Sequence, residues 1–122
     1  MRIFEYVKLV IWQLRVYTGA VVARVERLDA ETVEFAATML KCVGHPVRLR
    51  IVEFLEMQGE APVQQLQEEL QLPQALVSQH LGKMKALGLL GSERRRGLVF
   101  YRVAMPQLFK LLDCVRSCNR VR

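Results

Sequence analysis

The stretch Gln74-Ala75-Leu76-Val77-Ser78-Gln79-His80-Leu81-Gly82-Lys83-Met84-Lys85-Ala86-Leu87-Gly88 decides the fold. Val77, Leu81 and Met84 recur at i, i+4 and i+7, the spacing of one apolar helix face. The opposite face is then free to carry Gln74, Ser78, Gln79 and Lys83, and Gly88 ends the helix. Just upstream, Leu72-Pro73 is a brief turn that follows a short helix over about Val63–Leu70. Downstream, residues 89–104 change period. Leu98, Phe100 and Val103 lie in a β-branched and aromatic stretch, set off from Leu89-Leu90 by the polar turn Arg94-Arg95-Arg96-Gly97, which predicts a two-stranded hairpin.

Toward the N-terminus, Asp29 reads as an N-cap, with Leu28 and Val33 placed as a hydrophobic staple across it. A helix over about Ala30–Val43 is expected to turn Val33, Ala36, Ala37 and Leu40 inward. Gly44 stops it, and Pro46 opens a second helix that carries Val47, Ile51, Phe54 and Leu55 and ends near Gln58-Gly59. After the hairpin, a last helix spans about 106–118, with Leu108, Leu111, Leu112 and Val115 apolar. Helices, a helix–turn–helix, a hairpin and a final helix make a mainly α fold with a β-hairpin wing (α+β): a winged helix-turn-helix with an extra N-terminal helix.

Composition bounds the class. The 122 residues are 52% hydrophobic and 25% charged with 7 glycines and 4 prolines, as expected of one globular domain over 29–122 preceded by an extension over 1–28. The 18 Lys and Arg against 12 Asp and Glu give a formal charge of +6, which points to a polyanionic partner, nucleic acid before an anionic membrane surface. The three cysteines cannot close a disulfide framework among themselves and suit a cytoplasmic thiol set.

In residues 1–28, Phe4, Val7, Ile11, Leu14, Val21, Val25 and Leu28 follow helical spacing, with Thr18 as the gap. Lys8 and Arg15 split the apolar stretch, so neither a membrane span, which needs about 20 apolar residues, nor a signal peptide fits. The expectation is an extra helix packed on the domain or on a partner subunit. An interfacial membrane helix and a flexible extension are the alternatives.

Charge is unevenly distributed. Residues 59–72 carry Glu60, Glu68 and Glu69 and no base, whereas residues 73–105 carry six bases (83, 85, 94, 95, 96 and 102) against Glu93 alone. The basic excess falls on the helix and hairpin that, in a winged helix, reach the major groove and the neighbouring backbone. Gln74, Ser78, Gln79, His80 and Lys83 are candidate contacts to base edges or phosphates. Arg94, Arg95 and Arg96 are candidate contacts to phosphates or a minor groove. Ser78 and His80, two apart on a helix, diverge and form no catalytic pair. With no phosphate-cradling loop, no paired carboxylates in an apolar setting and no H-E-x-x-H, an enzyme is not expected.

Leu40-Lys41-Cys42-Val43-Gly44-His45-Pro46-Val47-Arg48-Leu49-Arg50-Ile51 resembles the opening of the ArsR/SmtB family of winged-helix repressors. Leu76-Val77-Ser78-Gln79-His80-Leu81 with Leu87-Gly88-Leu89-Leu90 resembles its recognition helix, and 94–102 its wing. The resemblance covers about residues 30–112. It implies a cytoplasmic homodimer, paired through its first and last helices, that represses transcription from a double-stranded inverted-repeat operator and lets go on sensing a signal. His45 and His80 are usual residues at their places in the family pattern, which favours structural or DNA-proximal roles over metal ligation.

The signal is read from the cysteines. The family's Cys-x-Cys site on the short helix is absent, since 61–66 hold no cysteine. Its His/acid site on the last helix is absent too, since 106–122 offer Asp113 and no histidine. Cys114 and Cys118 stand four apart, with Cβ atoms about 5–6 Å apart on one helix face, wide of the roughly 3.5–4.5 Å of a disulfide. Two such thiolates would share a soft ion. With Cys42 as a third ligand the set suits As(III) or Sb(III), and with His45 as a fourth it suits Zn. The alternative is a thiol-redox or reactive-sulfur response linking Cys42 to Cys114 or Cys118, Cys42 lying close to Arg48. A third reading leaves the thiols as small hydrophobes beside Leu111 and Val115. A remoter one is a thiol-bearing interaction or membrane-surface protein without DNA binding.

Overall fold

A computed structural model describes residues 25–119 together with Ile3 and Val7; the rest of the expected helix over 1–28 lies outside the described residues. The elements in chain order are α1 (Ala30–Val43), α2 (Pro46–Gln58), β1 (Ala61–Pro62), α3 (Val63–Leu70), α4 (Gln74–Ala86), β2 (Leu90–Arg95), β3 (Leu98–Val103) and α5 (Gln107–Asn119). Residues 25–29 carry no regular structure, and Val25 and Leu28 are exposed, so the expected N-terminal apolar stripe does not continue as helix to Leu28.

Local chemistry explains the helix ends. The Asp29 carboxylate accepts the Thr32 N–H at 2.7 Å, satisfying one of the four amides that every helix start leaves over. At the α1–α2 corner the Gly44 N–H donates back to the Leu40 carbonyl, and a Cβ on Gly44 would sit 3.0 Å from that oxygen. His45 then caps α2, its Nδ1 accepting the Val47 N–H at 3.1 Å, with Pro46 behind it. The wing turns through Arg96 (φ 51°) and Gly97 (φ 79°), a two-residue loop with both central residues left-handed, as the twist of a tight hairpin demands.

The sheet has a third strand that the sequence pattern did not announce. β1 pairs antiparallel with β3 (Ala61 opposite Tyr101, Pro62 opposite Phe100), giving the order β1-β3-β2. Two residues, one of them proline, give no alternation to read, and proline is tolerated there because β1 is an edge strand.

Ile51 and Leu55 of α2, Leu66 of α3, Val77, Leu81 and Met84 of α4, Leu89, and Leu108 of α5 are fully or almost fully buried and form one core. It seats the helix–turn–helix on α2 and α5. α1 does not turn inward the face that its spacing predicts. Val33 and Leu40 are about half exposed, Ala37 is exposed, and only Cys42 and Val43 in the last turn are buried. The proposed Leu28–Val33 staple likewise leaves both side chains in solvent. On α5, Leu108 and Leu112 are buried but Val115 is 48% exposed. Periodicity announced an apolar face on each of these helices; among the described residues much of that face is exposed.

Leu81→Ala is expected to lower unfolding free energy by about 2–5 kcal/mol, because it opens a cavity among fully packed neighbours. Met57→Ala, at an exposed site, is expected to change it by no more than about 0.5 kcal/mol. Urea denaturation of both variants checks the contrast.

Candidate nucleic-acid interface

α3 ends at Gln71 in a left-handed conformation (φ 53°), and Leu72-Pro73 redirects the chain into α4. With Val77, Leu81 and Met84 committed to the core, a rotation of about 100° per residue turns Gln79 and Lys83 outward and Ser78 to the flank; Gln74 stands in the first turn, and all four are exposed. They line one side of a helix with amide, hydroxyl and ammonium groups, the chemistry that reads base edges and binds phosphates. Lys83 and Lys85 fall in the last turn, where cations complement the helix dipole.

His80 lies on the other side. It is buried, and its Nδ1 accepts a hydrogen bond from Arg48 Nε at 3.1 Å. The His45 ring stands 4.7 Å from it, tilted by 53°. Burial, then the charges of His45, Arg48 and Lys83, hold the His80 pKa below its ordinary value.

The three wing arginines are not equivalent. Arg95 is paired with Glu60 at 2.5 Å and lies 4.2 Å over the Phe100 ring, so its guanidinium rests on the sheet. Glu60 is held below the usual carboxylate range by that hydrogen bond. Arg94 and Arg96 are exposed at the tip. Arg102 crosses β2 at Gly91, where an added Cβ would meet its guanidinium at 3.1 Å. A glycine inside a strand is the signal for such a close approach.

The cysteines are dispersed. Cys42 is buried at the end of α1, while Cys114 and Cys118 are exposed on α5. Arg48 Nη1 donates to the Cys42 carbonyl at 2.9 Å and to its Sγ at 3.4 Å. Among the described residues no three His, Cys, Asp or Glu side chains come together in a group that would hold a metal ion. His45 lies beside His80, with its Nδ1 engaged by the α2 cap.

Sequence reasoning placed Arg48 near Cys42 but missed its bond to His80, and it passed over the pairing of Glu60. For Arg48 a signal existed: with Val52 and Leu55 it falls at i, i+4 and i+7, a charge on the inward stripe of α2. A charge placed there calls for a buried partner.

Two predictions follow from this geometry. The unfolded chain protonates His80 near 6.5, while the folded chain resists to lower pH, so below that point the unfolded state binds more protons. Unfolding free energy is therefore expected to be full above pH 6.5 and to fall as pH drops below it. Urea titrations at stepped pH check this, and His80→Asn is expected to flatten the slope. On DNA, Gln79→Ala is expected to change preference among operator sequences. Arg96→Ala is expected to weaken all sequences alike and to lower the slope of log affinity against log salt by about 0.9. A parallel fall for both variants would refute the division between base-reading helix and phosphate-binding wing.

Residues 45–92 match the family described as "Bacterial regulatory protein, arsR family". The chain is 35% identical over 94 residues to the transcriptional repressor PagR of Bacillus anthracis, an alignment covering 74% of this chain and 93% of that protein. It is 39% identical over 86 residues to the HTH-type transcriptional repressor SmtB of Mycobacterium tuberculosis, covering 70% of this chain and 63% of the relative. The crystal structure of PagR superposes with a TM-score of 0.66 at 32% identity, covering 71% of this chain and 99% of that one. Reduced HlyU from Vibrio cholerae superposes with a TM-score of 0.65 at 25% identity, covering 71% and 90%. A helix–turn–helix with an outward polar strip, a hairpin wing beside it and these matches lead to one conclusion: the chain belongs to the ArsR/SmtB family of winged-helix transcriptional regulators, and is not an enzyme.

Proposed function

We propose that the protein is a cytoplasmic repressor that binds an inverted-repeat operator as a homodimer and releases it when its thiols react. The observation that carries the DNA reading is the outward strip of α4, Gln74, Ser78, Gln79 and Lys83, on the same chain as the exposed wing cations Arg94 and Arg96. Dimerisation is supported by the uncovered apolar side chains Val33, Phe35 and Leu40 of α1 and Val115 of α5, since exposed apolar patches of this kind mark interfaces. Two copies related by a two-fold axis would present two α4 helices to successive major grooves, about 34 Å apart.

For the signal, a thiol-redox or reactive-sulfur response stands beside the soft-ion reading, and both join thiols that the single chain holds apart, Cys42 buried on α1 and Cys114 and Cys118 exposed on α5. Arg48 Nη1 lies 3.4 Å from the Cys42 sulfur, a cationic neighbour of the kind found beside reactive thiols. Joining two thiols releases two protons and two electrons, which a peroxide would take up as it leaves as two waters. A site for As(III), Sb(III) or Zn from Cys42, Cys114 and Cys118, with His45, is not assembled within one chain and would have to be completed across the dimer.

A gel shift on a palindromic fragment of the protein's own promoter is expected to show a complex that weakens steeply as salt rises, because phosphate contacts release counterions. Native mass spectrometry of the reduced protein is expected to give twice the chain mass, and a loss of about two hydrogens per chain with mild peroxide. Absence of any shift at low salt would sink the repressor reading. Uptake of arsenic or zinc, abolished by Cys114→Ser, would replace the redox reading with the ionic one.

A further inference from the structure

Arg48 is a half-buried residue in the first turn of α2 whose guanidinium reaches two other helices. Nε donates to His80 Nδ1 on α4, and Nη1 donates to the carbonyl and sulfur of Cys42 on α1. The Cys42 carbonyl belongs to the last turn of α1, where acceptors run out of intrahelical donors and a cation also meets the negative end of the helix dipole. His80 is the one buried polar side chain among the described residues. Because its Nδ1 accepts, the ring is neutral with its proton on Nε2.

The surroundings keep it so. His45 and Arg48 face the ring from α2, Lys83 stands beside it on α4, and Arg48 connects it to Cys42 of α1. No carboxylate is among them. A proton on Nδ1 would set one N–H against another and open the contact. His80 sits one residue from Gln79 and three from Lys83, so the contact holds the inner side of the helix whose outer side carries the polar strip.

We propose that Arg48 is a positioning residue for operator recognition: by tying α4 to α1 and α2 through neutral His80, it sets the pose in which Gln74, Ser78, Gln79 and Lys83 meet DNA, without touching DNA itself. The proposal rests on operator binding by α4 and specifies what that binding needs from inside the protein. It also makes operator affinity fall in acid, where a proton on His80 Nδ1 opens the Arg48 contact.

The test uses fluorescence anisotropy on a labelled own-promoter palindrome with wild type, Arg48→Met, His80→Leu and His80→Asn. Asparagine places Oδ1 where imidazole places Nδ1, so it keeps the acceptor and cannot titrate. At about pH 7.5, where His is neutral, Arg48→Met and His80→Leu are expected to bind roughly ten- to a hundredfold more weakly, as for loss of a hydrogen bond to a charged group. His80→Asn is expected to stay within a few-fold of wild type. The salt slope is expected to be unchanged in every variant, since no phosphate contact is lost. At about pH 5.5, wild type is expected to lose affinity relative to His80→Asn. Circular dichroism checks that each variant is folded, and if Arg48→Met is not, the Leu/Asn pair at position 80 carries the test alone. Wild-type affinity in both Arg48→Met and His80→Leu, a salt slope reduced by about 0.9 in Arg48→Met, or an equal acid loss in His80→Asn would each overturn the tie while leaving the operator reading standing. A wild-type chain that binds no duplex overturns both.

Discussion

The two-sided seating of α4 is the constraint on which the rest of the structure depends. Val77, Leu81 and Met84 are fully buried, which fixes the helix about its own axis, because a helix with three residues locked in a core at i, i+4 and i+7 cannot roll without unpacking all three. The outward direction of Gln79 and Lys83 is the geometric complement of that burial, with Ser78 on the flank and Gln74 exposed in the first turn. Leu66 of α3 and Ile51 and Leu55 of α2 supply the apolar partners. The hairpin hangs from the same core through Leu89 and Leu90, so the wing is placed relative to α4 by continuous packing.

A second layer of control is polar. The hydrophobic effect is non-directional, whereas hydrogen bonds to a planar guanidinium have set directions. Arg48 joins α1, α2 and α4 at one point, and Arg95 joins the wing to Glu60 ahead of β1 while stacking on Phe100. Arg48 and Arg95 are thus both engaged within the chain, while Arg94, Arg96 and Lys83 stand exposed.

The helices and the wing were legible in the sequence because their ends are written in local chemistry. Asp29, Gly44, Pro46, Gly88 and Arg96-Gly97 each mark a boundary that the backbone adopts. What periodicity could not supply is what covers a face: α1 has the spacing of a packed helix, yet most of it meets solvent in the single chain. β1 was illegible for the opposite reason, being too short to have a period. His80 was grouped with the outward residues by its neighbours in sequence. Its spacing from Val77 (three) and Met84 (four) already placed it on the inward stripe. The exposed strip of α4 was readable from the sequence, whereas the pairing of Arg95 with Glu60 needed the fold to bring residues 35 apart together.

The thinly anchored α1 makes dosage a structural variable. Its first two turns start at the Asp29 cap and are mostly exposed among the described residues, and isolated helices of that length are marginal in water. If a second copy covers Val33, Phe35 and Leu40, the order of α1 follows protein concentration by mass action. The last turn of the same helix holds Cys42, one anchor of the Arg48 contact. A scarce chain would then be both shorter-lived, because loosely held segments are where proteases begin, and less well set for reading DNA. Abundance would be sensed by the fold before any ligand arrives.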